Sequence, residues 1–128
     1  MIKTAYASDF NKKKTRPPNS GTAVLITRGG SYPWLDYDEW IIDLSPLRGT
    51  LSKWKKSKQT EEDWKKYREK FLPQMKKSKA VNKIEQLRQR SKNGESITLL
   101  CYFKPELHCH RYIIKSLING SNTVIESD

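Results

Sequence analysis

Two uninterrupted apolar runs limit what this chain can fold into. Thr22-Ala23-Val24-Leu25-Ile26-Thr27 is bounded by Gly21 and Gly29-Gly30, and Ser96-Ile97-Thr98-Leu99-Leu100-Cys101-Tyr102-Phe103 follows Asn93-Gly94. Neither alternates apolar with polar residues, so a strand made from either has two faces to bury. Central strands of a parallel sheet meet that demand. Ile2 to Tyr6 is a shorter strand candidate.

The segments between these runs read as helices or loops. Thr60 ahead of Glu61-Glu62-Asp63 is a helix start, with a hydroxyl to accept from a free N–H and acids at the positive end of the dipole. Trp64, Tyr67, Phe71 and Met75 then recur on one helical face, and Pro73 kinks or ends that helix near Leu72. Ala80, Ile84 and Leu87 mark a second helix that stops at Asn93-Gly94. Leu107 to Ile118 reads as the last helix, with Asn119-Gly120 as its stop. Leu35 to Leu44 fits a short helix or an irregular packed segment equally well. Residues 9–20 form a polar loop carrying Lys12-Lys13-Lys14 and Pro17-Pro18. Strands separated by helices make the fold class α/β: residues 1–128 as one small domain, with a mostly parallel sheet of three to four strands flanked by helices.

Composition narrows the function classes. Lys and Arg number 25 against 14 Asp and Glu, a net charge of +11. The excess is local, since Lys53 to Lys92 holds 15 basic and 5 acidic residues. Such a stretch suits a nucleic acid or an acidic partner, and Lys65, Lys66, Lys76 and Lys77 are its candidate contacts. The plainer reading is that these lysines solvate the outer faces of two helices, because Trp54, Trp64, Tyr67 and Phe71 are spaced as a core stripe rather than a base-stacking platform. No apolar run is long enough to span a membrane, and Met1 to Tyr6 is too short and polar for an export signal. Two cysteines do not make a secreted disulfide framework. A cytoplasmic protein is the expectation.

The residues able to do chemistry cluster in Cys101-Tyr102-Phe103-Lys104-Pro105-Glu106-Leu107-His108-Cys109-His110-Arg111. A strand end followed by a helix start is where α/β sheets collect ligands and where anions are stabilised. Cys101, Cys109 and His110 are therefore catalytic candidates, and Arg28 and Arg111 are anion-binding candidates. Each has a plainer alternative. On a helix from Leu107, His110 lies amid Leu107, Ile114 and Leu117, as a hydrogen-bonded core histidine would. Arg111 points away with His108 and Lys115, as a surface salt-bridge partner would, and either thiol can be a small buried hydrophobe. A helix beginning before Cys109 makes Cys109 the more reactive thiol and leaves Cys101 buried and neutral. Adjacent helical side chains diverge by about 100°, so residues 108–110 do not converge on a metal, and no metal or cofactor is expected. Phosphate-binding glycine loops and a serine nucleophile elbow are missing from the sequence.

The Leu99–Arg111 segment resembles the C-terminal signature of the domain of unknown function 488 family, in which a strand ending in Cys leads through a Pro-containing loop to Cys-His-Arg. Trp34-Leu35-Asp36-Tyr37-Asp38-Glu39-Trp40, Leu44-Ser45-Pro46, Leu51, Trp54, Trp64, Tyr67-Arg68 and Phe71 are similar to its short, YeaO-like branch. The resemblance covers most of the chain. It implies a small α/β fold and makes Cys101, Cys109, His110 and Arg111 the motif positions, but it carries no activity. One departure stands out. Where that branch has Arg-Leu-Trp-Pro-Arg-Gly, this chain has Arg28-Gly29-Gly30-Ser31-Tyr32-Pro33 and lacks the second Arg.

Overall fold

The computed structural model describes residues 1–30, 32–103 and 108–120. Four strands, β1 (Ile2–Tyr6), β2 (Thr22–Leu25), β3 (Glu39–Trp40) and β4 (Ile97–Cys101), form one sheet in the order β1-β4-β2-β3. Every pairing is parallel, with Thr22 opposite Ile97 and Ile2 also opposite Ile97 from the other side. The two apolar runs are thus neighbouring central strands, as their composition requires.

Four helices follow the first three strands or the last: α1 (Arg48–Lys56), α2 (Glu61–Gln74), α3 (Ser78–Lys92) and α4 (His110–Ile118). Thr60 caps α2 by accepting from the Asp63 N–H, and Asp63 returns the bond to the Thr60 N–H. Pro73 lies in the last turn of α2, so the hydrogen bond it removes and the break it causes fall at the end of the helix, whose last residue is Gln74. The sequence reading missed α1, although Leu47, Leu51 and Trp54 recur at helical spacing. The undecided stretch 35–44 becomes β3 and a single 3-10 turn over Ile42–Leu44.

Alternation along the strands sends side chains into two cores. Val24, Ile26, Ile97 and Leu99 pack with Trp54, Phe71, Leu87 and Ile114 from all four helices. Ala23, Leu25 and Leu100 face the other way, onto Phe10 and Leu35. Helices therefore cover one face, while the chain on either side of β2 covers the other. Trp54, Trp64, Tyr67 and Phe71 form a continuous ring cluster, with centroids 5.3 Å apart for the first pair and 4.9 Å for the stacked Trp64–Tyr67 pair. These rings hold α1 against α2, and none is a base-stacking platform.

Two arginines clamp the sheet's outer edge. Arg16, from the polar loop, bonds Asp36 at 2.7 Å and Asp38 at 2.8 Å, and Asp38 also accepts from the Ala23 N–H of β2. Arg90 of α3 reaches both Glu39 of β3 and Glu95 just before β4, each at 2.6 Å.

Candidate functional site

The connections leaving β2 and β4 run to opposite faces. After β2 the chain carries Leu35 onto the loop-covered face, and after β4 it returns as α4 on the helical face. Their divergence opens a crevice at the carboxyl ends of these two adjacent strands, the place where open α/β sheets bind ligands. A cleft of about 490 Å³ lies there, with Thr27, Arg28, Tyr32, Arg48, Lys55, Cys101, Phe103 and His110 in its lining. Among the described residues, no carboxylate lines it.

Cys101 is the last residue of β4. It lies on the same strand face as Ile97 and Leu99, toward α4, and only 4% of it is exposed. His110 opens α4 beneath it. The His110 Nε2 is 2.6 Å from the Ile26 carbonyl oxygen, a group that can only accept, so Nε2 carries the proton. That leaves the Nδ1 lone pair facing both thiols, 3.5 Å from Cys109 Sγ and 4.0 Å from Cys101 Sγ. His110 is a buried, hydrogen-bonded histidine, as helical periodicity implies, and it also touches the two sulfurs.

Cys109 overturns two expectations at once. Helix α4 begins at His110, so Cys109 stands just outside it at φ −151° and ψ 146°. An extended residue next to a helical one does not obey the 100° rule, and the Cys101, Cys109 and His110 ligand atoms all lie within 4.8 Å of one another. Moreover, Cys109 is the deeper thiol, 1% exposed. Burial pushes it well above its ordinary range, and its hydrogen bond to Cys101 adds to the shift. That same bond from Cys109, with help from His110, holds the Cys101 thiol well below its ordinary range despite burial. Burial and hydrogen bonding thus act against the order of reactivity expected from the sequence. Pro105 and Leu107, on which the earlier helix start rested, lie outside the described residues.

The arginines divide. Arg28 is half-buried in the cleft wall, its guanidinium held by the Pro46 and Ser45 carbonyl oxygens at 2.9 and 3.3 Å. Arg111 does not point outward. In the first turn of a helix that starts at 110, its side chain runs back into the protein, 1% exposed, and donates to the Phe103 carbonyl oxygen at 2.6 Å. It fastens the chain after β4 and does not line the cleft. His108 likewise has a positioning partner, Glu61 at 2.9 Å, and stacks on Trp64. Lys65, Lys66, Lys76 and Lys77 are exposed on α2 and on the turn after it, away from the cleft.

Arg48 and Lys55 of α1 are cleft residues that sequence reasoning passed over. The Leu47-Leu51-Trp54 spacing was the signal for their helix. Tyr102 lies across the mouth, its hydroxyl bonded to the Gly30 carbonyl oxygen and its ring against Tyr32.

A family model described as DUF488-N3a, the "Active DUF488-N3 subclade", matches residues 8–122. The chain belongs to the DUF488 family. The match names the N3 subclade and does not confirm the YeaO-like branch, and it spans β2 to α4, including both thiols and His110. Comparison with curated proteins and with solved structures gives no match. In this DUF488 chain, the described residues contain no helix long and apolar enough to cross a membrane.

Proposed function

We propose that this DUF488 protein uses Cys101 as a nucleophile on a small anionic substrate held in the cleft. The observation that carries the reading is the placement of a Cys101–His110 pair at the carboxyl-end crevice of the sheet, beneath Arg28, Arg48 and Lys55. The matched family model is that of an active subclade, which points the same way. In this scheme His110 Nδ1 accepts the Cys101 thiol proton, and the sulfur electron pair forms a bond to the substrate's electrophilic atom. The displaced group leaves with the proton carried by His110. Arg28, Arg48 and Lys55 neutralise the substrate's negative charge, and the amino end of α4 adds a favourable dipole.

Alkylation of the folded, full-length protein with iodoacetamide tests this. Cleavage after Glu106 places the two thiols on separate peptides, so each is counted by mass spectrometry. Cys101 labels faster than Cys109, and pyrophosphate slows the labelling of Cys101. If Cys101 labels only after unfolding, or if pyrophosphate has no effect on it, the reading is wrong.

A further inference from the structure

We infer that Cys101, Cys109 and His110 form a zinc-binding site whose fourth position opens on the cleft. The donor set and its spacing carry the inference. A tetrahedral zinc with sulfur at about 2.3 Å and nitrogen at about 2.0–2.1 Å sets those donors about 3.6 Å apart and two sulfurs about 3.8 Å apart. Here His110 Nδ1 stands 3.5 Å from one sulfur and 4.0 Å from the other. All three ligand atoms lie within 4.8 Å of one another, and all three residues are buried. The separations differ from those of a tetrahedral site by no more than about 1 Å.

The surroundings are also those of a metal ligand. A zinc-bound imidazole commonly donates its other N–H to a backbone carbonyl or a carboxylate, which fixes the tautomer and aims the free lone pair at the metal. The Ile26 carbonyl oxygen, 2.6 Å from His110 Nε2, does this here. Two soft thiolates and one imidazole favour zinc over calcium or magnesium, which take oxygen ligands. Three protein ligands leave one tetrahedral position vacant. Cys101 and His110 line the cleft while Cys109 sits behind them, so that position faces Arg28, Arg48 and Lys55.

Binding displaces the protons that the two sulfurs carry and forms two Zn–S bonds and one Zn–N bond. It also ties up the Cys101 sulfur, so zinc-loaded protein lacks the free Cys101 nucleophile. Zinc is thereby a reversible brake on the proposed thiol chemistry. This regulatory consequence rests on the nucleophile reading, whereas the metal binding stands on the three donors alone.

The test is titration of the full-length, reduced protein with Co²⁺ and then Zn²⁺, followed by alkylation with and without Zn²⁺. Cobalt binds one per chain, with thiolate-to-cobalt charge-transfer absorption and the intense visible bands of a tetrahedral ion, and zinc displaces it. At zinc ten times its Kd, Cys101 alkylation slows about tenfold, following the metal-free fraction, and a chelator restores it. Cys109→Ser weakens zinc affinity by more than about 100-fold, beyond the 10–100-fold typical of losing an outer partner, while circular dichroism confirms the fold. Weak octahedral cobalt bands, or wild-type zinc affinity in Cys109→Ser, overturn the site. Tight tetrahedral binding with an unreactive Cys101 before metal is added upholds the zinc site and removes the nucleophile reading.

Discussion

Gly21 holds the register on which the cleft depends, and replacing it separates two costs that Gly→Ala substitutions usually mix. Gly21 adopts φ +62°, and an added Cβ would stand 2.7 Å from the Ser96 carbonyl carbon and closer still to its oxygen. That oxygen accepts the Thr22 N–H at 2.9 Å, at the point where β2 starts to pair with β4. Gly94 adopts φ +95° with nothing within 4 Å of its added Cβ. Both alanines incur the left-handed backbone cost of about 1–2 kcal/mol. Each regains about 0.4–1 kcal/mol from a less flexible unfolded chain. Gly94→Ala thus costs about 1 kcal/mol. Gly21→Ala must in addition push the Ser96 carbonyl away and lose a ladder hydrogen bond, leaving a donor and an acceptor poorly satisfied. That adds about 1–3 kcal/mol, for a total of about 2–4 kcal/mol. Urea unfolding followed by tryptophan fluorescence and far-ultraviolet circular dichroism reads both. Equal midpoints for the two variants would refute the close-approach argument and reduce Gly21 to an ordinary turn glycine.

Arg16 hydrogen bonds hold the Asp36 and Asp38 carboxyls below their usual range. Their contribution is complete above the unfolded value of about 4 and is lost as pH falls through the lower folded values. Wild-type stability therefore drops below about pH 4, and Arg16→Met flattens that acid limb; an unchanged limb in urea midpoints would show that the clamp is inert. Arg90 grips Glu39 and Glu95 through part-exposed side chains, so Glu39→Gln costs only about 0.5–1 kcal/mol, an effect that shrinks in high salt. Arg48→Gln with Lys55→Gln weakens pyrophosphate protection of Cys101 and leaves the urea midpoint in place, because both side chains are exposed; undiminished protection places the anion elsewhere. Whatever affinity the chain has for nucleic acid falls when Lys65, Lys66, Lys76 and Lys77 become Gln. The slope of log affinity against log salt then drops by about 0.9 for each duplex phosphate that is no longer neutralised, and an unaltered slope clears these lysines of any role.

The frame of the fold is legible in local pattern. Continuous apolar runs over 22–27 and 96–103 demand burial on two faces, and only adjacent central strands supply it. The Thr60–Asp63 cap and the Trp64-Tyr67-Phe71-Met75 stripe set α2, because capping and helical spacing are local properties. The same locality puts Cys101 at a strand end and His110 on a buried helical face.

Packing settles what the site is. Whether α4 starts before or after Cys109 is a matter of one or two residues, yet it decides whether the second thiol diverges from His110 or joins it. It also turns Arg111 from an outward cation into a buried tie to Phe103, and it buries Cys109 just outside the helix. Arg48 and Lys55 reach the cleft only because α1, held against α2, lies beside the ends of β2 and β4, and the His110 tautomer is set by a carbonyl 84 residues away in sequence. Neighbours of that kind are brought together by packing, and no local pattern in a single chain records them.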